Sequence, residues 1–241
     1  MLPNIGLDQL LLLDIETTPA TAALEQLPDD MQRLWGEKMA KTAPESENEA
    51  ELYADRAGIY AEFGKIVCIS VGFFSLENNA YHLRMKSFYN DDEAIVLNGF
   101  LALVDKFHTK YPHFQFAGHN IKEFDIPFIC RRSVIHQLSL PKPLQLHGFK
   151  PWEMPMLDTL QLWRFGDIRH YISLKLLTAV LGIETPKDDI DGSMVGKVYW
   201  NDHDLERIVA YCQKDVTAVA QLLLRFKRLP LLKDEQVTLV K

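Results

Sequence analysis

Four leucines in a row, Leu10 to Leu13, run directly into Asp14, with Glu16 two residues further on. A stretch this apolar fills a buried strand. The early arrival of two acids makes it too short for a signal peptide core or a membrane span. In an extended chain, residues two apart share a face. Asp14 and Glu16 therefore stand side by side at the end of a core strand. Carboxylates that close repel each other, and one must protonate unless a cation compensates. This chain thus needs positive charge at the edge of its own core.

The remaining pattern says what surrounds that strand. After Leu10 to Asp14 comes a polar, helix-prone segment at about 20–63, containing "APESENEAE", which reads as an insertion between the first two strands. Lys65 to Phe74 is β-branched and aromatic and reads as a second strand. Asn78 and Asn79 signal a turn, and Ala80 to Tyr89 alternates as a hairpin-paired third strand. "DDEAIVLNGFLALVDKFH" has helical spacing behind an acidic start. Phe114 to Asn120 reads as a short strand, and a helix begins near Phe124 with Pro127 in its first turn. Pro141 to Pro155 reads as a surface loop. Met156 to Trp163 is a strand or strand-to-helix passage, and a short helix ends at Gly182. The longest helix follows Asn201 or Asp202, either of which suits its cap. Three successive strands followed by strand–helix alternation predict one α/β domain over residues 1–241, a mixed sheet flanked by helices. That order suits an RNase H-like fold.

Three acidic sites lie at the edges of these elements: Asp14 with Glu16, Asp125 in "GHNIKEFDIP", and Asp215 in "YCQKD". On the last helix the apolar stripe comprises Leu205, Ile208, Val209, Cys212, Val216, Val219, Leu223 and Phe226. Tyr211 and Asp215, four apart, fall together at one edge of it. Oxygen ligands without His or Cys suit Mg²⁺ or Mn²⁺. Four carboxylates exceed what one such ion needs, whereas two ions about 4 Å apart on a phosphodiester would use them all.

"DIET", "HNIKEFDIP" and "YCQKD" resemble the three motifs of the DEDD superfamily of 3′–5′ exonucleases. Tyr211 stands four residues before Asp215 and Ala210 holds the histidine place, which corresponds to the tyrosine (DEDDy) branch. The flanks "GKIVCISVGFF", "GSMVGKVYW" and "LERIVAYCQKDV" resemble stand-alone bacterial proteins related to the exonuclease domain of family B DNA polymerases. The resemblance implies that Asp14, Glu16 and Asp215 hold one metal ion. Asp14 would bridge to a second, which Asp125 holds directly or through water. It implies that Tyr211 orients the attacking water, and that Asn120 and the backbone near Ile15 and Thr17 contact the terminal nucleotide beside Phe124. The implied substrate is the 3′ end of single-stranded DNA, with RNA as the alternative for an enzyme of RNase D type. A non-catalytic nucleic-acid-binding subunit is the alternative from another class, and the intact acidic set argues against it. A proofreading role would call on a separate polymerase or repair partner.

Other residues carry plainer readings. Asp158 reads as a cap, His119 as a structural hydrogen-bonding residue, and Phe124 as core or base platform. Lys122, Arg131, Arg132, Lys142, Lys150, Arg164, Arg169 and Lys175 are candidate phosphate contacts. A net charge of −7 argues against a protein that coats duplex DNA by bulk electrostatics. Cys68, Cys130 and Cys212 follow no metal-binding spacing and read as reduced thiols, which points to the cytoplasm.

Overall fold

The computed structural model describes residues 6–43, 48–150, 152–184 and 190–240. The strands are β1 (Leu10–Pro19), β2 (Gly64–Glu77), β3 (Ala80–Tyr89), β4 (Gln115–Gly118), β5 (Met156–Asp158) and β6 (Val237–Leu239). They form one sheet in the order β5-β4-β1-β2-β3-β6. β2 runs antiparallel to β1 and β3, and the β1–β4, β4–β5 and β3–β6 pairs are parallel. This is the mixed sheet expected from the sequence. The β2–β3 hairpin closes at Asn78 and Asn79, whose φ angles of 49° and 63° are the left-handed pair that a two-residue hairpin turn requires.

The helices are α1 (Asp29–Thr42), α2 (Glu49–Arg56), α3 (Glu93–Lys110), α4 (Asp125–Ile135), α5 (Thr159–Arg164), α6 (Leu174–Val180), α7 (Val195–Lys197) and α8 (Leu205–Phe226). Period-two alternation in β1 divides the core into two layers. Leu11, Leu13 and Ile15 pack with Val96, Phe100 and Ile129 from α3 and α4. Leu10 and Leu12 pack on the other face with Val216, Val219 and Leu223 from α8. α8 lies so near the sheet that a Cβ on Gly72 would meet Val216 Cγ1 at 2.7 Å.

Several elements depart from the sequence reading. β1 does not stop at Asp14. It continues pairing to Pro19 opposite Gly64, because β2 absorbs a one-residue register shift beside Glu16 and the ladder then resumes. The polar segment between β1 and β2 has a core of its own, with Trp35 and Tyr53 fully buried beside Met39 and Phe63. Residues 44–47 of "APESENEAE" and residue 151 of the proline-rich loop lie outside the described residues. Asn201 and Asp202 do not cap α8, because they belong to a π-helical turn, Val198–Asp202. The chain leaves that turn through His203, at φ 54°, and Asp204 is the cap, accepting from Arg207 N–H at 3.1 Å. β6 is a three-residue, largely exposed edge strand whose sequence is too short to alternate recognisably. Among the described residues no helix is long and apolar enough to cross a membrane.

One buried ionic cluster ties α3 and α4 to β2 and to the turn that precedes it. Glu93, at the start of α3, accepts from Arg132 Nε at 2.9 and 3.1 Å and from Arg132 Nη2 at 2.6 Å. It also accepts from Ile66 N–H at 2.8 Å and contacts His136 Nε2 at 2.8 Å. Arg132 Nη1 donates to the carbonyl of Ala61 at 2.8 Å. Arg132 is therefore not a phosphate contact, since its charge is spent inside the fold.

Candidate active site

Asp14 and Glu16 continue the β1 face of Leu10 and Leu12, so they point toward α8. Beside them the ladder slips from Glu16↔Cys68 to Thr17↔Ile66, leaving Val67 of β2 as an extra residue. Such a bulge bends a strand and re-aims its side chains. On α8, Tyr211 and Asp215 stand one turn apart, and the Tyr211 hydroxyl hydrogen-bonds the Asp215 carboxylate. Cys212 Sγ donates to the backbone carbonyl of Asp14 at 3.4 Å, locking helix to strand. Asp125 approaches from the opposite layer, as the first residue of α4. Its Oδ1 accepts the N–H of Ile15 at 3.2 Å, between the two strand acids. The fold thus gathers all three sequence-distant acidic sites around the end of β1.

The electrostatics are those of an unneutralised cluster. Burial, followed by the charges of Asp215 and Asp125, holds the Asp14 carboxyl well above the usual range. Burial and then Asp14 do the same to Glu16. Burial raises Asp125 to about 7, against the lowering effect of backbone N–H donors, including that of Ile15. Tyr211 is pushed up by burial and by Asp215, Glu16 and Asp14, so its phenol stays protonated. Asp14 Oδ2 is buried without a hydrogen-bond partner. An orphaned buried carboxylate oxygen is costly and calls for a missing partner. Ligand atoms of Asp14, Glu16 and Cys212 lie within 4.8 Å of one another. The Cys212 thiol is held protonated by burial, which leaves an all-oxygen carboxylate set. That set fits a hard divalent cation such as Mg²⁺ or Mn²⁺.

The acids and Tyr211 line a cleft of about 820 Å³, and Ile15, Thr17, Asn120 and Phe124 line it too. Asn120 sits at φ 64°. Its N–H donates to Asp158 Oδ1 at 3.0 Å, and Lys122 N–H donates to Oδ2 at 3.2 Å. Asp158 also caps α5 through Leu160 N–H at 2.9 Å, so it shapes the loop that leads to Asp125. His119 is structural in its bonding: it contacts Thr159 Oγ1 through Nδ1 and the carbonyl of Ile172 through Nε2, both at 2.9 Å. Of the basic residues considered from sequence, Lys175 lines the cleft, and Arg164 is bound to Glu123 at 3.0 Å. Lys214, Tyr171, Ile59 and Asp191 line it as well and were not anticipated. Lys214 could have been found from its place one residue before Asp215.

Residues 55–226 match the RNase H superfamily. The chain belongs to that superfamily. The match begins after Asp14 and Glu16, so it is the sheet that joins those two acids to the superfamily portion. The structure is similar to a family B DNA polymerase from the hyperthermophilic archaeon Pyrobaculum calidifontis, with TM-score 0.54 and 16% sequence identity. That similarity covers 90% of this chain and 24% of the polymerase. No curated protein sequence matches the chain.

Proposed function

We propose that this protein is a 3′–5′ exonuclease of the tyrosine branch. In this reading it hydrolyses the terminal phosphodiester of single-stranded DNA and releases 5′-mononucleotides with the help of two divalent metal ions. The observation that carries this is the convergence of Asp14, Glu16, Asp125 and Asp215 on one cleft, with Asp14 Oδ2 buried and orphaned, beside Tyr211, whose phenol is pushed up by burial and by the acids. The likeness to a DNA polymerase supports DNA as the substrate.

The four carboxylates would hold the ions. When bound, the ions neutralise the cluster and supply Lewis acidity to the scissile phosphodiester. Tyr211 donates its only proton to Asp215, because a carboxylate can only accept. The lone pairs of the Tyr211 oxygen are then free to accept from a water and aim it at phosphorus. A neutral phenol can orient that water but has no lone-pair basicity strong enough to deprotonate it. Asn120 and the backbone of Ile15 and Thr17 seat the terminal nucleotide, with Phe124 against its base.

End-labelled single-stranded DNA and RNA, incubated with Mg²⁺ or Mn²⁺ and separately with excess chelator, test the reading. A 3′ block should slow digestion and a 5′ block should not. Activity that survives chelation, or nicking of a circular single strand, overturns it.

A further inference from the structure

The loop between α5 and α6 leaves three apolar side chains in water. Ile168 is 82% exposed, Phe165 74% and Tyr171 65%. Tyr171 belongs to the wall of the cleft that holds the acids, as does Lys175 at the start of α6. The exposure of Tyr171 does not come from a slack backbone. The carbonyl of His170, just before it, accepts from Arg164 Nε at 2.7 Å, and Arg164 is tied to Glu123. The carbonyl of Ile172, just after it, is bound by His119 Nε2 at 2.9 Å. Ile172 itself is buried. The backbone that carries the exposed ring is therefore pinned on both sides. Phe165 sits in the left-handed region at φ 46°, a conformation rare for a bulky residue, and its ring also faces water. Arg169 is exposed on the same loop.

We propose that this loop is the entry platform for the single strand: bases upstream of the terminal nucleotide stack on Tyr171 and Phe165 while Arg169 and Lys175 meet the backbone phosphates. Exposed rings interleaved with cations are the recurring chemistry of sequence-tolerant single-strand binding, and Tyr171 and Lys175 join this loop to the cleft. Asp167 on the loop and Asp191 near Lys175 offset part of the charge of Arg169 and Lys175, so what favours this occupant is the continuity of Tyr171 and Lys175 with the acid-lined cleft. The four site acids repel a bare polyanion, so cations on the approach are needed to bring phosphates near them. The inference rests on the exonuclease reading for the direction of the strand, but not for binding itself.

The test uses the full chain, a fluorescein-labelled twelve-nucleotide oligothymidine, and anisotropy in Ca²⁺ at several salt concentrations. Tyr171→Ala and Phe165→Ser should each weaken binding by about 5- to 150-fold. Arg169→Ala should weaken it and flatten the salt dependence by about 0.7 in log–log slope. Trp152→Ser, an equally exposed aromatic outside this loop and cleft, is the control and should change nothing. With Mg²⁺, the preference for the twelve-mer over a dinucleotide should fall in parallel for the loop variants. If wild type digests DNA while the loop variants bind the twelve-mer normally, the platform is wrong and the exonuclease reading stands. If wild type binds and the variants do not, yet nothing is cleaved, the platform stands and the exonuclease reading fails. Wild type that binds no oligonucleotide, or a dimer dissolved by Ile168→Ser, overturns the platform.

Discussion

Arg132→Met removes the cation from the buried cluster while leaving a side chain of similar length. Arg132 is 9% exposed and makes its three short contacts to Glu93 and one to the Ala61 carbonyl. After the change Glu93 keeps Ile66 N–H and His136, and the Ala61 carbonyl loses its partner. Breaking a buried pair from one side typically costs about 3–5 kcal/mol, because the remaining charge is left uncompensated. Glu93→Gln keeps an acceptor for Ile66 N–H and should cost a similar amount by stranding Arg132. The double variant removes both charges. It should therefore be less destabilised than the sum of the two singles by about 2 kcal/mol or more. Urea unfolding followed by circular dichroism, in chelator so that metal does not contribute, measures all four corners of the cycle. A cost below about 1 kcal/mol for Arg132→Met, or strict additivity in the double variant, would refute the account of this cluster as an interdependent buried pair. Because Arg132 rides on α4 with Asp125, its loss should also reduce nuclease activity.

Asp215→Ala should nearly abolish digestion and weaken metal binding by calorimetry, whereas Tyr211→Phe should keep metal and lose roughly ten- to a thousandfold in single-turnover rate. Equal metal loss in both, or full activity in Tyr211→Phe, would remove Tyr211 from its role. Mg²⁺ or Mn²⁺ at a hundred times its Kd should raise the melting temperature by about 5–10 °C, and Asp14→Asn should erase the shift. His119 has its pKa lowered from 6.5 by burial, and by Arg164, against the raising effects of the Ile172 carbonyl and Asp158. The unfolded chain therefore binds the proton more readily. The contribution of His119 to stability is full above about pH 6.5 and falls as pH drops through that value toward the lower folded pKa. His119→Gln should flatten stability against pH across that window, and an unchanged slope in chemical denaturation would count against the neutral buried imidazole.

What the sequence determined by itself was local. Asp14 and Glu16 share a face because a strand repeats every two residues, and Tyr211 and Asp215 share an edge because a helix repeats every 3.6. The Asn78–Asn79 turn was legible because its two left-handed residues are chemically marked. The resemblance implied that the three acidic segments meet, and tertiary structure decided how they do so. Asp125 reaches the N–H of Ile15 across 110 positions of chain. The Cys212 thiol finds the Asp14 carbonyl across 198. No periodicity carries those distances: they are set by sheet register, the bulge at Glu16, and the close seat of α8 over Gly72. The same limit hid the partners of Arg132, which in sequence looked like any exposed cation. It hid the core around Trp35 within an outwardly polar segment, and the Asp204 cap behind a π-helical turn. A side chain's charge is written in its identity, but whether that charge faces water, a partner or a substrate depends on which distant surface the fold brings against it.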